Sequence, residues 1–147
     1  MKIRKNLLRA AAFIVVALIF VFCIYSIATH AAEKTYTDDD LYIMEHVICG
    51  ECNDSGWDMK ISVGSVVLNR VADERFPNTI AEVVFQQGQY ACTWDGNYCK
   101  EPNEETKEAA KYLLENGSQI DESVVWQAEF VQGRGIYDVI DNMYFCY

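Results

Sequence analysis

The pattern of hydrophobic and polar positions after residue 36 predicts a mostly helical domain. Thr37 followed by three aspartates at residues 38–40 is typical of a helix N-terminus, and Gly50 is predicted to end that helix. Between them, apolar residues recur at helical spacing: Leu41, Met44, Val47 and Ile48. Ser55 is predicted to cap a second helix, which a broad apolar stripe places at the centre of the core: Ile61, Val63, Val66, Val67, Leu68 and Val71.

The rest of the chain predicts two more helices and a short sheet. A capping-box pattern predicts a short helix at residues 79–85, and Pro102 and Gly117 bracket an amphipathic helix. Residues 86–100 are rich in Gly, Gln, Tyr and Trp and are predicted to be irregular. Two short antiparallel strands are predicted around a Gly-rich loop, at 124–126 and 143–145. The fold class is therefore α+β, with most residues in helices.

The N-terminal segment has a different character. An uncharged apolar run at residues 10–28 follows four basic residues, which predicts a signal peptide or a membrane anchor over residues 1–31. Residues 32–37 then form a short tether, and residues 38–147 form the working domain. We expect that domain to be exported, either secreted to the cell wall or held by a single-pass anchor whose N-terminus is cytoplasmic.

Charge excludes one class of partner. All 22 acidic residues follow Ala32, whereas only 8 of the 12 basic residues do, so the exported part is more acidic than the net charge of −10 suggests. A surface this negative is unsuited to nucleic acid or anionic lipid, because phosphate contacts need a basic face.

Five cysteines lie in the exported part: Cys49, Cys52, Cys92, Cys99 and Cys146. Export permits disulfides, and a local bridge between Cys92 and Cys99 is predicted across a turn-like loop. The other pairings stay open, and the odd number leaves at least one thiol unpaired.

Cys49 and Cys52 also spell C-x-x-C, which offers a thiol-disulfide oxidoreductase as an alternative function. That motif normally opens a helix after a strand, whereas here it follows a helical pattern. A zinc site built from both cysteine pairs is disfavoured by the wide spacing of the second pair and by export. We therefore predict no metal and no cofactor.

Glu51 is the leading catalytic candidate. It lies just past the first helical pattern, beside a Gly and a polar loop, where a carboxyl group can be half-buried at the edge of a cleft. Half-burial raises the pKa of a carboxyl group and lets it donate a proton near neutral pH, as cleavage of a glycosidic bond requires. The alternative is a solvated acid at a helix end.

Several motifs together resemble the SleB-type (spore cortex-lytic enzyme-like) cell wall hydrolase family, from about residue 40 to residue 146. They are a Gly-Glu pair after the first helix, V-V-L-N-R-V at residues 66–71, F-P-N-T-I at 76–80, V-V-F at 83–85, Gln89-Tyr90 and a terminal Phe145-Cys146. The chain departs from the family at Cys52-Asn53-Asp54, where Arg-Gly-Glu is common, and at Met143, where a His is usual.

The resemblance implies a small lysozyme-like domain that cleaves peptidoglycan between N-acetylmuramic acid and N-acetylglucosamine. Family members act as lytic transglycosylases, and the role of the single catalytic acid carries over to Glu51. Substrate-binding candidates are Gln89, Tyr90 and Trp94 in the irregular stretch, with Asn69 on the second helix, although a structural role suits Asn69 better. A non-catalytic domain that binds the cell wall remains the alternative, and vegetative wall and spore cortex are both open as substrates.

Overall fold

The computed structural model describes residues 35–147, apart from the side chain of Cys99. The predicted signal peptide or anchor and the first half of the predicted tether lie outside the described residues. Within the described range, no helix combines the length and the apolar character needed to span a bilayer.

Within residues 35–147, five α-helices and one short 3₁₀ helix precede a small sheet. The α-helices are α1 (Asp38–Cys52), α2 (Trp57–Ala72), α3 (Ile80–Val84), α4 (Cys92–Asp95) and α5 (Glu104–Asn116), with the 3₁₀ helix at Asn97–Cys99. The mostly helical prediction is confirmed. The stretch predicted to be irregular contains α4 and the 3₁₀ helix.

Helix α1 begins where the acidic run predicted. The Thr37 hydroxyl accepts a hydrogen bond from the Asp40 backbone N–H at 3.0 Å, and the Asp40 carboxylate accepts one from the Thr37 N–H at 2.9 Å. The prediction that Gly50 ends this helix is wrong, because α1 continues to Cys52 and Asn53 is its C-cap. Glu51 therefore lies in the last helical turn rather than beyond it.

Asn53 joins the end of α1 to the start of α5. Its side-chain oxygen accepts hydrogen bonds from the Asn103 backbone N–H at 3.1 Å and from the Thr106 hydroxyl at 3.0 Å. Its backbone carbonyl accepts a third from the Asn103 side chain at 2.6 Å. Because Asn103 is also the N-cap of α5, one asparagine pair fixes both helix ends.

Helix α2 is central, as its apolar stripe predicted. Val63, Val66 and Val67 are fully buried, and α2 packs against α1, α3 and α5. Its N-cap is Gly56, so the predicted cap at Ser55 is wrong. The Ser55 carbonyl instead accepts a hydrogen bond from the buried Lys60 ammonium, which also pairs with Glu105 at 2.5 Å.

The sheet has three antiparallel strands rather than two. Strands β1 (Trp126–Ala128), β2 (Ile136–Ile140) and β3 (Met143–Cys146) are ordered β1-β3-β2. Strand β2 lies in the loop that was predicted to separate two strands. It is an edge strand with four of its five residues exposed, so its sequence lacks the alternation that marks a half-buried strand.

The predicted bridge between Cys92 and Cys99 is wrong, because the structure describes Cys92 as a free, buried thiol. Cys92 is the first residue of α4, and its side chain points toward α1. A Cβ atom built on Gly50 would lie 2.4 Å from the Cβ of Cys92 and 2.9 Å from its Sγ. Glycine at position 50 is therefore what lets α4 pack directly against the end of α1.

We expect Gly50→Ala to lower the free energy of unfolding by about 1–3 kcal/mol, because the added methyl group must push α4 away from α1. Urea denaturation checks this. Gly56→Ala is the matched control, since a Cβ there meets no atom within 4 Å. In Gly56→Ala, the loss of a favourable N-cap residue lowers stability, and the reduced entropy of the unfolded chain raises it, so the two effects offset each other. Equal stability of the two variants would contradict the packing described.

Candidate active site

The site forms around the Glu51 carboxyl, where the last turn of α1 meets α4 and β1. Glu51 is half-buried. The backbone N–H and the thiol of Cys92 lie beside its carboxyl from the side of α4, and the Gln127 amide approaches it from β1. Three separate elements therefore enclose the Glu51 carboxyl. The close approach of α4 to α1 at Gly50 brings Cys92 to this carboxyl.

The environment of Glu51 favours the protonated form. Burial is the largest effect and raises the pKa of this carboxyl above its usual 4.5. Cys92 and Gln127 pull the pKa down through their polar contacts, while the nearby negative charge of Asp95 pushes it up. The balance leaves the pKa raised, so the prediction of a half-buried acid with a raised pKa at this position is confirmed.

Sequence reasoning missed Gln127 as a neighbour of Glu51. Gln127 lies on β1 opposite Phe145 of β3, and its buried amide lies beside the Glu51 carboxyl. One polar residue in a short strand carries no signal of a site, because only the sheet register brings it to the end of α1.

Asp95 is a second carboxylate that sequence reasoning also missed. Asp54 and Asp58, the next two acids along the chain, are both exposed, and neither is among the groups that shift the pKa of Glu51. The Asp95 carboxylate accepts hydrogen bonds from the backbone N–H and the side-chain amide of Asn97, at 2.8 and 2.7 Å. Asp95 is thereby held on α4, close enough to act on Glu51 electrostatically.

Two of the predicted substrate-binding residues have surface available. Trp94 is on α4 between Cys92 and Asp95, and its side chain is 60% exposed. Gln89 precedes α4 and is half-exposed. Both residues lie within three positions of Cys92 along the chain, and their contact with a sugar stays a prediction.

Tyr90 lies inside the protein, 1% exposed. The Arg70 guanidinium is 5.2 Å from the centre of its ring, and burial raises the pKa of the Tyr90 hydroxyl to about 12. Arg70 is itself buried and donates a hydrogen bond from Nε to the Val125 carbonyl at 2.7 Å. In this position Tyr90 supports the site from within, and its role in sugar binding stays a prediction.

Asn69 makes structural contacts, which is the role that the sequence favoured for it. Its side-chain nitrogen donates to the carbonyls of Asp121 and Val124, at 2.8 and 2.9 Å, and so fixes the segment that leads into β1. Asn69 also lines a surface depression of about 700 Å³ between the C-terminal ends of α2 and α5. Glu51 does not line this depression, and a sugar contact by Asn69 stays a prediction.

The C-x-x-C pair lies in a poor environment for redox chemistry. Cys49 and Cys52 are both buried in the last turns of α1. Burial raises the pKa of Cys49, and it raises the pKa of Cys52 to about 12, which disfavours the thiolate that a nucleophile requires. Among the described residues, no group of three or more Cys, His, Asp or Glu side chains could hold a metal ion.

Comparison with protein families matches residues 55–146 to the model described as "Cell Wall Hydrolase". The match begins after Glu51, so the role of Glu51 rests on the geometry of the site. The spore cortex-lytic enzymes of Bacillus cereus and Oceanobacillus iheyensis are 32% and 30% identical over 74 residues, which is 50% of this chain. The matched segments span only 29% and 27% of those two relatives.

Two solved structures share the fold. One is the catalytic domain of the Bacillus cereus SleB protein, with a TM-score of 0.68 and 23% identity, covering 78% of this chain and 94% of that one. The other, from Bacillus anthracis, is the catalytic domain of a germination-specific lytic transglycosylase. It has the same TM-score and identity and covers 79% and 100% of the two chains.

We expect Glu51→Gln to gain thermal stability relative to the wild type as pH rises. The folded protein holds the Glu51 proton more tightly than the unfolded chain, so stability from this group is present below the usual pKa of 4.5 and is lost above the folded pKa. Melting temperatures of both proteins from pH 3 to pH 8 check the sign.

Glu101→Gln is the control of opposite sign, since its ion pair with Lys107 lowers the pKa of Glu101. For this pair, the thermal stability of the wild type rises relative to that of Glu101→Gln as pH rises. The change is small because the ion pair is exposed. A Glu51→Gln difference that stays flat or shrinks with rising pH contradicts the burial of the Glu51 charge.

Proposed function

Because the chain belongs to the cell wall hydrolase family, we propose that it cleaves peptidoglycan glycan strands with Glu51 as the catalytic acid. The observation that carries this proposal is the half-buried Glu51 carboxyl, whose burial raises its pKa. Such a group keeps its proton at a pH where an exposed carboxyl has lost it, and it can give that proton to a glycosidic oxygen.

The first step is protonation of the leaving group. Protonated Glu51 donates to the oxygen that links N-acetylmuramic acid to N-acetylglucosamine. The bond between that oxygen and the muramoyl C1 breaks, the N-acetylglucosamine leaves as an alcohol, and the muramoyl ring becomes oxocarbenium-like. Cys92 and Gln127 then stabilise the carboxylate that forms on Glu51, because their polar contacts favour its charged state.

The second step uses the same carboxylate as a base. Glu51 accepts the proton of the muramoyl C6 hydroxyl while that oxygen bonds to C1, which closes a 1,6-anhydro ring and restores the protonated acid. One carboxyl group suffices for this lytic transglycosylation, whereas a hydrolase normally uses two. Asp95 is the nearby carboxylate that would serve if water attacked C1 instead, giving a reducing end.

The surface next to Glu51 suits a neutral sugar strand. Sugar C–H faces stack on aromatic rings, and the exposed ring of Trp94 is next to Asp95 on α4. Gln89 supplies an amide that can bond hydroxyl groups. The strand is the partner and the domain acts outside the cell, at the wall. The names of the relatives support this place of action, since spore cortex and germination both concern wall material.

Digestion of purified peptidoglycan, followed by mass spectrometry of the products, tests the proposal. We expect the wild type to release fragments with 1,6-anhydro-muramoyl ends and Glu51→Gln to release none above background. Glu45→Gln is the matched control on the same helix, where burial also raises the carboxyl pKa, and it should match the wild type.

Reducing ends in place of anhydro ends would identify a hydrolase and bring Asp95→Asn under test. Absence of products from the wild type, on both vegetative wall and spore cortex, would overturn the enzymatic proposal in favour of a wall-binding domain. Cleavage that survives Glu51→Gln would remove Glu51 from the catalytic role.

A further inference from the structure

Four aromatic rings form a continuous row that includes none of the groups acting on the Glu51 carboxyl. Tyr42 and His46 lie one turn apart on α1, and the centres of their rings are 4.1 Å apart. The Tyr98 ring comes next, 5.3 Å from His46, and the Phe85 ring follows at 5.4 Å from Tyr98. We call these four residues the aromatic row.

Both ends of the aromatic row face solvent. The Tyr42 side chain is 55% exposed and that of Phe85 is 51% exposed, while His46 is buried in contact with Tyr42 and Tyr98. Single exposed rings are common on protein surfaces and need no explanation. Rings in unbroken contact form an apolar patch instead, and such patches mark binding surfaces.

The elements that carry the row hold it in place. The His46 Nδ1–H donates a hydrogen bond to the Tyr98 backbone carbonyl at 2.7 Å, which joins α1 to the 3₁₀ helix at Asn97–Cys99. Tyr42 is on α1, and Phe85 is the C-cap of α3. Because rings fixed on helices lose little freedom when a ligand binds, the row is a preorganised surface.

The charges beside the row exclude an anionic ligand. His46 acts electrostatically on the carboxyl groups of Glu45 and Glu101, so both carboxylates lie close to the row. Carboxylates at this position repel phosphate polymers and anionic lipid. The ligand that suits the row is therefore neutral and has apolar faces.

The segment that follows Phe85 adds the polar part of such a surface. Residues 83–94 carry no charged side chain, and three glutamines come directly after Phe85: Gln86, Gln87 and Gln89. Gln87 is exposed, and Gln89 is half-exposed. Aromatic faces stack on sugar C–H groups, and amides bond sugar hydroxyls. Rings and uncharged amides side by side are the chemistry that recognises a neutral carbohydrate.

We propose that the aromatic row is a second sugar-binding surface, which holds the domain on neutral glycan strands of the wall while Glu51 acts on the bond to be cleaved. The choice of glycan as the ligand rests on the proposed function. Tyr42 and Phe85 stack on the sugars, and His46 and Tyr98 keep the two rings in place. Such a surface retains the domain on an insoluble polymer without touching the reacting bond.

Calorimetric titration with peptide-free glycan strands tests the proposal, in full-length Glu51→Gln so that binding is measured without cleavage. Adding Tyr42→Ala or Phe85→Ala should weaken the Kd about two- to tenfold, the effect of losing one aromatic contact. Tyr42→Leu and Phe85→Leu should weaken it as much, because leucine keeps apolar bulk but has no ring face. All four changes should leave the melting temperature close to that of Glu51→Gln, since both rings are exposed.

Phe130→Ala is the matched control, because Phe130 is a 65% exposed ring between β1 and β2, outside the aromatic row. It should bind glycan as tightly as Glu51→Gln alone. Three results overturn the proposal: alanine variants of the row that keep full affinity, leucine variants that keep it, or an equal loss in Phe130→Ala. Binding to phosphatidylcholine vesicles in place of glycan, abolished by the row variants, would also overturn it and identify a membrane contact.

This test separates failure of the inference from failure of the proposed function. If the wild type releases no products but the row variants weaken glycan binding, the row stands as a wall-binding surface and the enzymatic proposal fails. If the wild type cleaves glycan and the row variants bind as tightly as Glu51→Gln, only the inference fails. Absence of any glycan binding to Glu51→Gln likewise overturns the inference, whatever the wild type cleaves.

Discussion

The close approach of α4 to the end of α1 is the constraint on which the site depends. Gly50 has no side chain, and Cys92 occupies the space that a Cβ would fill. This contact places the Cys92 backbone N–H beside Glu51 and brings Asp95 close enough to act on the carboxyl electrostatically. Burial raises the pKa of Glu51, Cys92 lowers it, and Asp95 raises it again. The same packing therefore both positions the acid and sets its proton affinity.

Local signals in the sequence were enough to predict most of the helical part. The acidic start of α1, the apolar stripe of α2 and the bracketing of α5 by Pro102 and Gly117 are encoded within a few residues each, so each could be located without tertiary information. Glu51 could be singled out as an acid because a helix end beside a glycine suggests half-burial. The C-terminal strands were placed approximately, because β1 and β3 carry apolar runs between turn residues.

The parts that could not be predicted depend on contacts between distant segments. Gly50 looked like a helix stop because a glycine near the end of a helix usually ends it, whereas here the absence of a side chain serves packing against Cys92. Cys92 looked like a partner for Cys99 because only their spacing was visible. Gln127 comes to Glu51 through the register of β1 with β3, which no local pattern specifies. Strand β2 is exposed and carried no periodic signal.

The central claim is that packing keeps Glu51 protonated above the range of an ordinary carboxyl group. Its pKa can be measured directly by ¹³C NMR titration of the glutamate side-chain carboxyl signals, with Glu51 assigned by its absence from Glu51→Gln. The structure predicts a midpoint above 4.5 for Glu51 in the wild type and a lower midpoint in Gly50→Ala, where α4 is pushed away. A wild-type midpoint at or below 4.5 would contradict the account.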